Sequence, residues 1–370
     1  MSYLFEYLGF LAQVVTIVIA IIVIISAIVN ASSRATQGDG QGGYLRVTKL
    51  NNRLRELRHA MEGQLLPPDA AKKQHKLEAK AESAALKEQQ KAQIQALKSQ
   101  HKAAKKTVEP ASTEAPSTDG DDAASGKVFV LQFDGDVSAS EVEHLRTEVS
   151  AVLTMATTSD EVVVCIESPG GMVHSYGFAA SQLSRVRARN IPLTVVVDRV
   201  AASGGYLMAA VANKIVAAPF ALIGSIGVVA QIPNVHRLLK KNDVDVEILT
   251  AGKYKRTMTT LGENTEEGRE KFIAELEDVH ALFQEFVVGN RPDLNIEAVA
   301  TGEAWYGTRA INLGLVDQLA TSDEYVMSCC EDREVYQIQW VEHKKALDKI
   351  LGKVNTLVDN VAQLFAPNRH

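Results

Sequence analysis

The segment EVVVCIESPGG, residues 161 to 171, decides the fold. It is an almost unbroken apolar run that ends in a Ser-Pro-Gly-Gly turn. Such a run is typical of a strand buried on both faces of a parallel sheet, where apolar and polar residues do not alternate. A helical pattern follows near His174 to Arg189, and a second apolar run, IPLTVVVD, spans residues 191 to 198. The order strand, helix, strand predicts parallel βαβ units with helices on both sides of the sheet.

The same alternation extends outward in both directions. VFVLQF (128–133) predicts a preceding strand, and the apolar positions of the stretch 137–154 have helical spacing. KIVAA (214–218) and VEIL (246–249) predict further strands. We therefore expect residues 127–345 to form one α/β domain built on a parallel sheet.

Composition limits the possible classes of protein. The chain has 370 residues, 46% of them hydrophobic, and a formal net charge of −6. This permits one large or two medium domains, and the mild acidity gives no sign of nucleic-acid binding. The three cysteines, Cys165, Cys329 and Cys330, do not form a disulfide framework. The sequence contains no phosphate-binding P-loop motif, so we expect no role for ATP.

The N-terminus predicts a transmembrane anchor at residues 7–29. No charged residue occurs from Tyr7 to Ser33, and about 20 apolar residues suffice to cross a bilayer. A cleaved signal peptide is the alternative, but no basic residue precedes the apolar run and Val29-Asn30-Ala31 is a poor cleavage site. All nearby basic residues follow the anchor, which by the positive-inside rule favours a cytoplasmic location for the rest of the chain.

Two further segments flank the domain. Residues 30–126 predict a linker, in which an Ala-, Lys-, Gln- and Glu-rich helix is followed by a disordered Pro/Ser/Thr/Asp stretch. Residues 346–370 predict an amphipathic C-terminal helix and tail. Its apolar stripe consists of Leu347, Ile350, Leu351, Val354, Leu357, Val358, Val361, Leu364 and Phe365.

Ser203 is the candidate nucleophile. It lies between an apolar strand and Gly204-Gly205, at the start of a small-residue helix pattern. A serine hydroxyl needs a base within hydrogen-bond reach and donors for the oxyanion that forms. Gly170 and Gly171 end the neighbouring parallel strand, so both glycine turns could face one cleft. The alternative is that Ser203 only caps the helix.

The residues alone leave the base open. His174 is the one histidine near the predicted cleft, because it opens the helix after Gly171. The alternative is a lysine that an apolar pocket keeps deprotonated, for which Lys253 and Lys255 are the candidates. Spacing does not choose between lysine and histidine.

Five motifs carry a resemblance to a known family. ESPGGMV, VDRVAASGGYLMAA, GSIGVV, AGKYKR and TGEAWYGTRAINLGLVDQL follow one another between about residues 127 and 330. Together they resemble the signal peptide peptidase family of Ser-Lys membrane proteases, and most closely its SohB branch. The resemblance implies a ClpP/crotonase-like domain, preceded here by one transmembrane helix and a charged helical linker. It also implies a serine endopeptidase that acts without a cofactor or a metal on signal-peptide remnants or other membrane-associated peptides.

The family's motifs also suggest roles for individual residues. The resemblance makes Ser203 the nucleophile and Lys255, 52 residues later, the general base. Lys253 falls where the family varies, so it is expected at the surface. Ser225 matches the position that orients the lysine amine.

The resemblance further assigns the oxyanion hole and the assembly. The hole is expected from the backbone of Gly170 or Gly171 together with that of Gly204. The chain carries one protease unit, which implies a homo-oligomer at the cell inner membrane, with peptides and the lipid bilayer as its partners. The family is described as acting outside the cytoplasm, which conflicts with the flanking charges.

Two other functions remain as alternatives. An acyl-CoA-processing, crotonase-like enzyme needs acidic residues in the cleft and has no use for a serine with a lysine partner. A catalytically inactive membrane scaffold of the same fold requires a broken dyad, yet Ser203 and Lys255 are both present.

Overall fold

The computed structural model describes residues 42–67, isolated positions between 69 and 94, and residues 126–342. The predicted anchor at 7–29 and the predicted C-terminal helix at 346–370 lie outside these residues, as does nearly all of the predicted disordered stretch. In the part of the chain that is described, no helix is both long and apolar enough to span a bilayer.

The chain divides into two compact units. Among the described residues, the smaller one consists of 42–46 and 340–342. The larger unit, Val47–Gln339, contains most of the regular elements. The strands are β1 (Gly43–Lys49), β2 (Val128–Asp134), β3 (Glu161–Glu167), β4 (Leu193–Val197), β5 (Val200–Ala202), β6 (Lys214–Ala217), β7 (Leu222–Gly224), β8 (Ala304–Tyr306), β9 (Gln318–Leu319) and β10 (Val335–Glu342). The helices are α1 (Leu50–Leu65), α2 (Val142–Leu153), α3 (Val173–Arg187), α4 (Gly204–Ala209), α5 (His236–Lys241), α6 (Glu266–Asn290), α7 (Ile296–Val299), α8 (Gly307–Ala310) and α9 (Ser322–Asp332).

The main sheet has seven strands in the order β1-β10-β2-β3-β4-β6-β9. The pairs from β10 through β9 are parallel, with Val164 of β3 opposite Leu131 of β2 and Val195 of β4. Val162, Val163 and Val164 are fully buried. The parallel α/β sheet predicted from the apolar runs is therefore confirmed.

Helices α2 and α3 form the packing next to the site. Their apolar positions recur at helical spacing, so one face of each is buried. On α2 the buried apolar residues are Leu145, Val149, Val152 and Leu153, and on α3 they are Tyr176, Ala179, Ala180, Leu183 and Val186. Helix α3 packs against both α2 and α4.

A second, three-stranded sheet carries the candidate site. Strand β7 lies between β5, to which it is parallel, and β8, to which it is antiparallel. Ala202 of β5 lies opposite Gly224 of β7. The residues that follow these partners, Ser203 and Ser225, therefore leave the sheet at the same edge.

The prediction of a strand at VEIL (246–249) is wrong. Residues 244 to 250 have no regular structure, and Leu249 is 89% exposed. A short apolar run becomes a strand only where a neighbouring strand can pair with it, and none of the described strands pairs with this one.

Part of the predicted linker belongs to the larger unit. Within residues 30–126, the stretch from Val47 to Leu65 is included in that unit, and α1 is tied to α9 and β10 by the side chain of Asn51. The Asn51 amide donates to the carbonyls of Cys330 and Arg333 and accepts from the N–H of Val335.

Candidate active site

Ser203 occupies a strained turn between β5 and α4. Its backbone angles are φ 51° and ψ −118°, a combination that side chains other than glycine rarely adopt. Two backbone bonds hold the turn: the N–H of Ser203 donates to the carbonyl of Gly224 at 2.8 Å, and its carbonyl accepts from Leu207 at 2.9 Å. The Ser203 side chain makes no capping hydrogen bond to α4. The capping explanation for this serine is therefore not supported.

Gly170 faces Ser203 directly. A Cβ atom at this position would lie 2.7 Å from the Cβ of Ser203 and 2.7 Å from the amide nitrogen of Gly204. Gly170 also has φ +89°, which favours glycine. Only glycine lets the turn after β3 approach the turn after β5 so closely. The structure thus brings together the two glycine turns that the sequence placed in one cleft.

The free backbone N–H groups of these turns identify the candidate oxyanion donors. The N–H of Gly170 already donates to the Oγ of Ser168 at 3.1 Å. Within the described residues, the N–H groups of Gly171 and Gly204 have no acceptor. Of the two glycines expected for this wall, Gly171 is therefore the one with an N–H left for a substrate oxygen.

Ser225 lies beside the Ser203 turn. It follows Gly224, whose carbonyl holds the Ser203 N–H, and it has φ 52°, nearly the value at Ser203. The Ser225 hydroxyl donates to the carbonyl of Gly302 at 3.3 Å, and its N–H donates to Glu303. The contribution of the 302–303 turn was not visible in the sequence, because nothing in the spacing reveals a partner 77 residues away.

Lys253 has the properties of a surface residue. Its Nζ pairs with Glu267 at 2.7 Å and lies over the ring of Tyr254. The hydrogen bond to Glu267 raises the pKa of Lys253 above its ordinary value. A general base must release its proton, so this environment opposes that role.

Lys255 lies in an exposed turn after Gly252. Its backbone N–H donates to the Gly252 carbonyl at 3.2 Å. Within the described part of the chain, its side chain makes neither a hydrogen bond nor an ion pair, so the structure does not join it to Ser203.

The other candidate groups also differ in their surroundings. His174 is exposed on the first turn of α3 and has no hydrogen bond to Ser203. Cys165 is a free thiol in β3, and burial raises its pKa to about 12, which leaves it protonated and unreactive at neutral pH.

Models of one protein family match both halves of the chain. The model described as "Peptidase family S49 N-terminal" matches residues 2–183, and the model "Peptidase family S49" matches residues 185–336. A probable protease SohB of Haemophilus influenzae is 59% identical over 226 residues, 61% of this chain and 64% of that protein's own length. A probable protease SohB of Buchnera aphidicola subsp. Acyrthosiphon pisum is 51% identical over 240 residues, 65% of this chain and 71% of that protein.

The chain therefore belongs to peptidase family S49. Its relatives at high identity are of the SohB type, which confirms the resemblance drawn from the motifs. Among solved structures, a mutant of the membrane-bound stomatin-specific protease 1510-N in complex with a substrate peptide is 14% identical. It covers 62% of this chain and 98% of that chain, with a TM-score of 0.35.

Proposed function

We propose that this protein is a serine endopeptidase of the ClpP/crotonase-like type, with Ser203 as nucleophile and Lys255 as general base. The turn around Ser203 is the observation that carries the proposal. Its hydroxyl has no hydrogen-bond partner among the described residues, and the Cβ of Ser203 lies close to Gly170. The unpaired N–H groups of Gly171 and Gly204 are available for an oxyanion. A serine at a strained, glycine-lined turn beside free N–H donors has the parts that acyl transfer requires.

The reaction follows from these groups. The Oγ of Ser203 attacks the scissile carbonyl while its proton passes to the neutral amine of Lys255, and the N–H groups of Gly171 and Gly204 hold the oxyanion. Collapse of the tetrahedral intermediate breaks the C–N bond, and the lysine ammonium returns the proton to the leaving amine. Water, deprotonated by the same lysine, then hydrolyses the acyl-enzyme and frees Ser203. The cycle consumes only peptide and water, so it needs no cofactor and no metal.

Lys255 must come to Ser203 for this to occur. Its turn is exposed and holds it through a single backbone bond to Gly252, whose φ of +99° is favourable only for glycine. Binding of a peptide or of a second subunit closes this turn over the cleft, with Ser225 orienting the amine.

The proposal places the enzyme at the cell inner membrane. Residues 7–29 form its anchor, and its substrates are signal-peptide remnants or other membrane-associated peptides. The family favours a periplasmic catalytic domain and the basic flank favours a cytoplasmic one, and a reporter fused to the C-terminus decides between them. Self-association is part of the proposal, because the chain carries a single protease unit.

Hydrolysis by matched serine variants tests the proposal. We expect Ser203→Ala to abolish cleavage of fluorescently labelled casein while its circular dichroism spectrum stays that of the wild type. Ser181→Ala is the control, since Ser181 is an exposed serine on α3 whose hydroxyl donates to the Gly177 carbonyl in its own helix. Full activity of purified Ser203→Ala would refute the serine mechanism.

A further inference from the structure

A series of three hydrogen bonds, the first two of them buried, runs away from the Gly170 turn. The N–H of Gly170 bonds to Ser168 Oγ at 3.1 Å, Ser168 Oγ lies 2.5 Å from the Tyr176 hydroxyl, and that hydroxyl lies 2.7 Å from the carbonyl of Asp136. Ser168 and Tyr176 both have 0% exposure. The two bonds of the Ser168 hydroxyl are therefore shielded from water, whereas the bond from Tyr176 to Asp136 is only partly buried.

The two ends of this hydrogen-bond series fix which group donates at each step. A backbone N–H can only donate and a carbonyl can only accept, and each hydroxyl between them has one proton. The Tyr176 hydroxyl must donate its hydrogen bond to the Asp136 carbonyl. The Ser168 hydroxyl must therefore donate to Tyr176 and accept from the N–H of Gly170. Burial raises the pKa of Tyr176, which keeps the phenol protonated as this chain requires. Hydrogen bonds aligned in one direction strengthen one another.

Ser168 is also fixed through its backbone. Its N–H donates to Val200 and its carbonyl accepts from Ala202, so it is held against β5 just before the nucleophile. The side chain of Ser168 therefore has a rigid base from which to hold the Gly170 turn.

Tyr176 contacts the opposite wall as well. Its ring lies so close to Gly204 that a Cβ added there would collide with it. One side chain thus supports both turns that carry an unpaired N–H group: Gly204 through ring packing, and the Gly170–Gly171 turn through Ser168.

We propose that Tyr176 and Ser168 are positioning residues that set the spacing of the two oxyanion donors. This rests on the proposed serine mechanism and goes beyond it, because neither side chain touches the substrate. These residues are expected to stabilise the transition state and not the bound substrate, because the substrate oxygen that the two N–H groups bind becomes negatively charged only in the transition state.

The test compares two buried tyrosines. Tyr176→Phe keeps the ring and removes the hydroxyl. Tyr206→Phe is the matched control, because Tyr206 is also fully buried and its hydroxyl bonds to the Leu315 carbonyl at 3.2 Å. Both variants lose one buried hydroxyl, so they bear a similar cost in thermal stability. The substrate is an internally quenched peptide, taken from a casein sequence that the wild-type enzyme cleaves.

We expect Tyr176→Phe to lower kcat about ten- to hundredfold with KM within about twofold of the wild type. The affinity for a peptide aldehyde inhibitor, whose tetrahedral adduct imitates the transition state, should fall by the same factor as kcat/KM. Binding of the product peptide should not change. Tyr206→Phe should keep the wild-type kcat.

Ser168→Ala breaks the same hydrogen-bond series at the Gly170 end. It tests the positioning role even if Tyr176→Phe does not fold. The double variant of Ser168→Ala and Tyr176→Phe should be no slower than the slower single variant, since both break one chain. Multiplied losses, a loss confined to KM, or equal kcat values for Tyr176→Phe and Tyr206→Phe would overturn the positioning role. A fully active Ser203→Ala variant would instead overturn the serine mechanism, and this role with it.

Discussion

At the scale of single residues, the site depends on backbone conformations that are costly to hold. Ser203 and Ser225 both have φ near 50° without being glycine. Such conformations cost of order 1–3 kcal/mol each, and they persist only where the surroundings enforce them. Here paired strands enforce them, because β5 and β7 end in register at Ala202 and Gly224.

Gly170→Ala should inactivate the enzyme and destabilise it by about 2 kcal/mol or more, through the positive φ and the collision with the Ser203 turn. Gly177→Ala is the control. Gly177 lies inside α3, where an added Cβ meets nothing within 4 Å, so alanine should be neutral or raise stability by up to about 1 kcal/mol. Urea unfolding and peptide hydrolysis measure both effects. An active, stable Gly170→Ala protein would contradict the close approach of the two turns.

The two lysines make a second residue-scale prediction. Lys255→Ala should be inactive, whereas Lys253→Ala should keep most of its activity, because Glu267 and Tyr254 hold Lys253 as a cation. The wild-type rate should rise with pH, since the base works only after losing its proton. Rate–pH profiles of the three proteins measure this. A pH dependence that disappears in His174→Ala, with Lys255→Ala still active, would transfer the role of general base to His174.

At the scale of elements, the buried carboxylate of Glu161 joins β3 to its neighbours. It accepts hydrogen bonds from Thr194 of β4 at 2.7 Å and Tyr325 of α9 at 2.6 Å, and it pairs with Arg333 at 2.6 Å. Burial alone would raise the pKa of Glu161, but these three partners outweigh it and the net pKa is lowered.

Glu161→Gln should therefore lower the free energy of unfolding at pH 7 by about 2 kcal/mol, the scale of a hydrogen-bonded charge. Since the folded pKa lies below the unfolded one, this stabilisation is present above the unfolded value of about 4.3 and is lost as the pH falls through the folded value. The variant should thus lose less stability than the wild type between pH 7 and pH 3. Glu143→Gln, in an exposed pair with Arg146, is the control and should change little. Identical acid profiles for wild type and Glu161→Gln would contradict this.

The main elements could be predicted from the sequence because their patterns are local. The segment 161–167 is a strand with the predicted bounds, and α3 begins at Val173, one residue before the predicted start. Strands β5, β7 and β8 could not be predicted. Each has three residues, and each is a strand only because the others lie beside it. The segment 246–249 is the opposite case, because it is an apolar run that pairs with none of the described strands and does not form a strand.

The candidate site was predictable to the same extent. Ser203 and the glycine turns stand out in the sequence because turn chemistry is local. The bond from Gly170 to Ser168 and the ring of Tyr176 against Gly204 depend on packing between separate elements, so no spacing rule reveals them. For the same reason, the choice of Gly171 over Gly170 as the free donor needed the structure.

At the scale of the whole molecule, the C-terminal stripe of residues 346–366 remains a sequence prediction, because it lies outside the described residues. An amphipathic helix does not leave its stripe exposed to water. We expect deletion of residues 346–370 to lower the oligomeric mass in detergent, and activity with it. Deleting only residues 367–370 is the control. Light scattering measures the mass of the full-length protein and of both deletion variants. An unchanged mass for the variant without residues 346–370, with its domain still folded, would rule out a role in subunit contact.

The central claim is that Ser203 is acylated with the help of Lys255. Mass spectrometry after reaction with a peptide-based acylating reagent tests it most directly, because it locates the covalent bond and measures its rate of formation. The account predicts a single adduct on the peptide containing Ser203 in the wild type and in Lys253→Ala. It predicts no adduct in Ser203→Ala, and formation slowed by at least about a hundredfold in Lys255→Ala. An adduct on another residue, or an equal rate in Lys255→Ala, would contradict it.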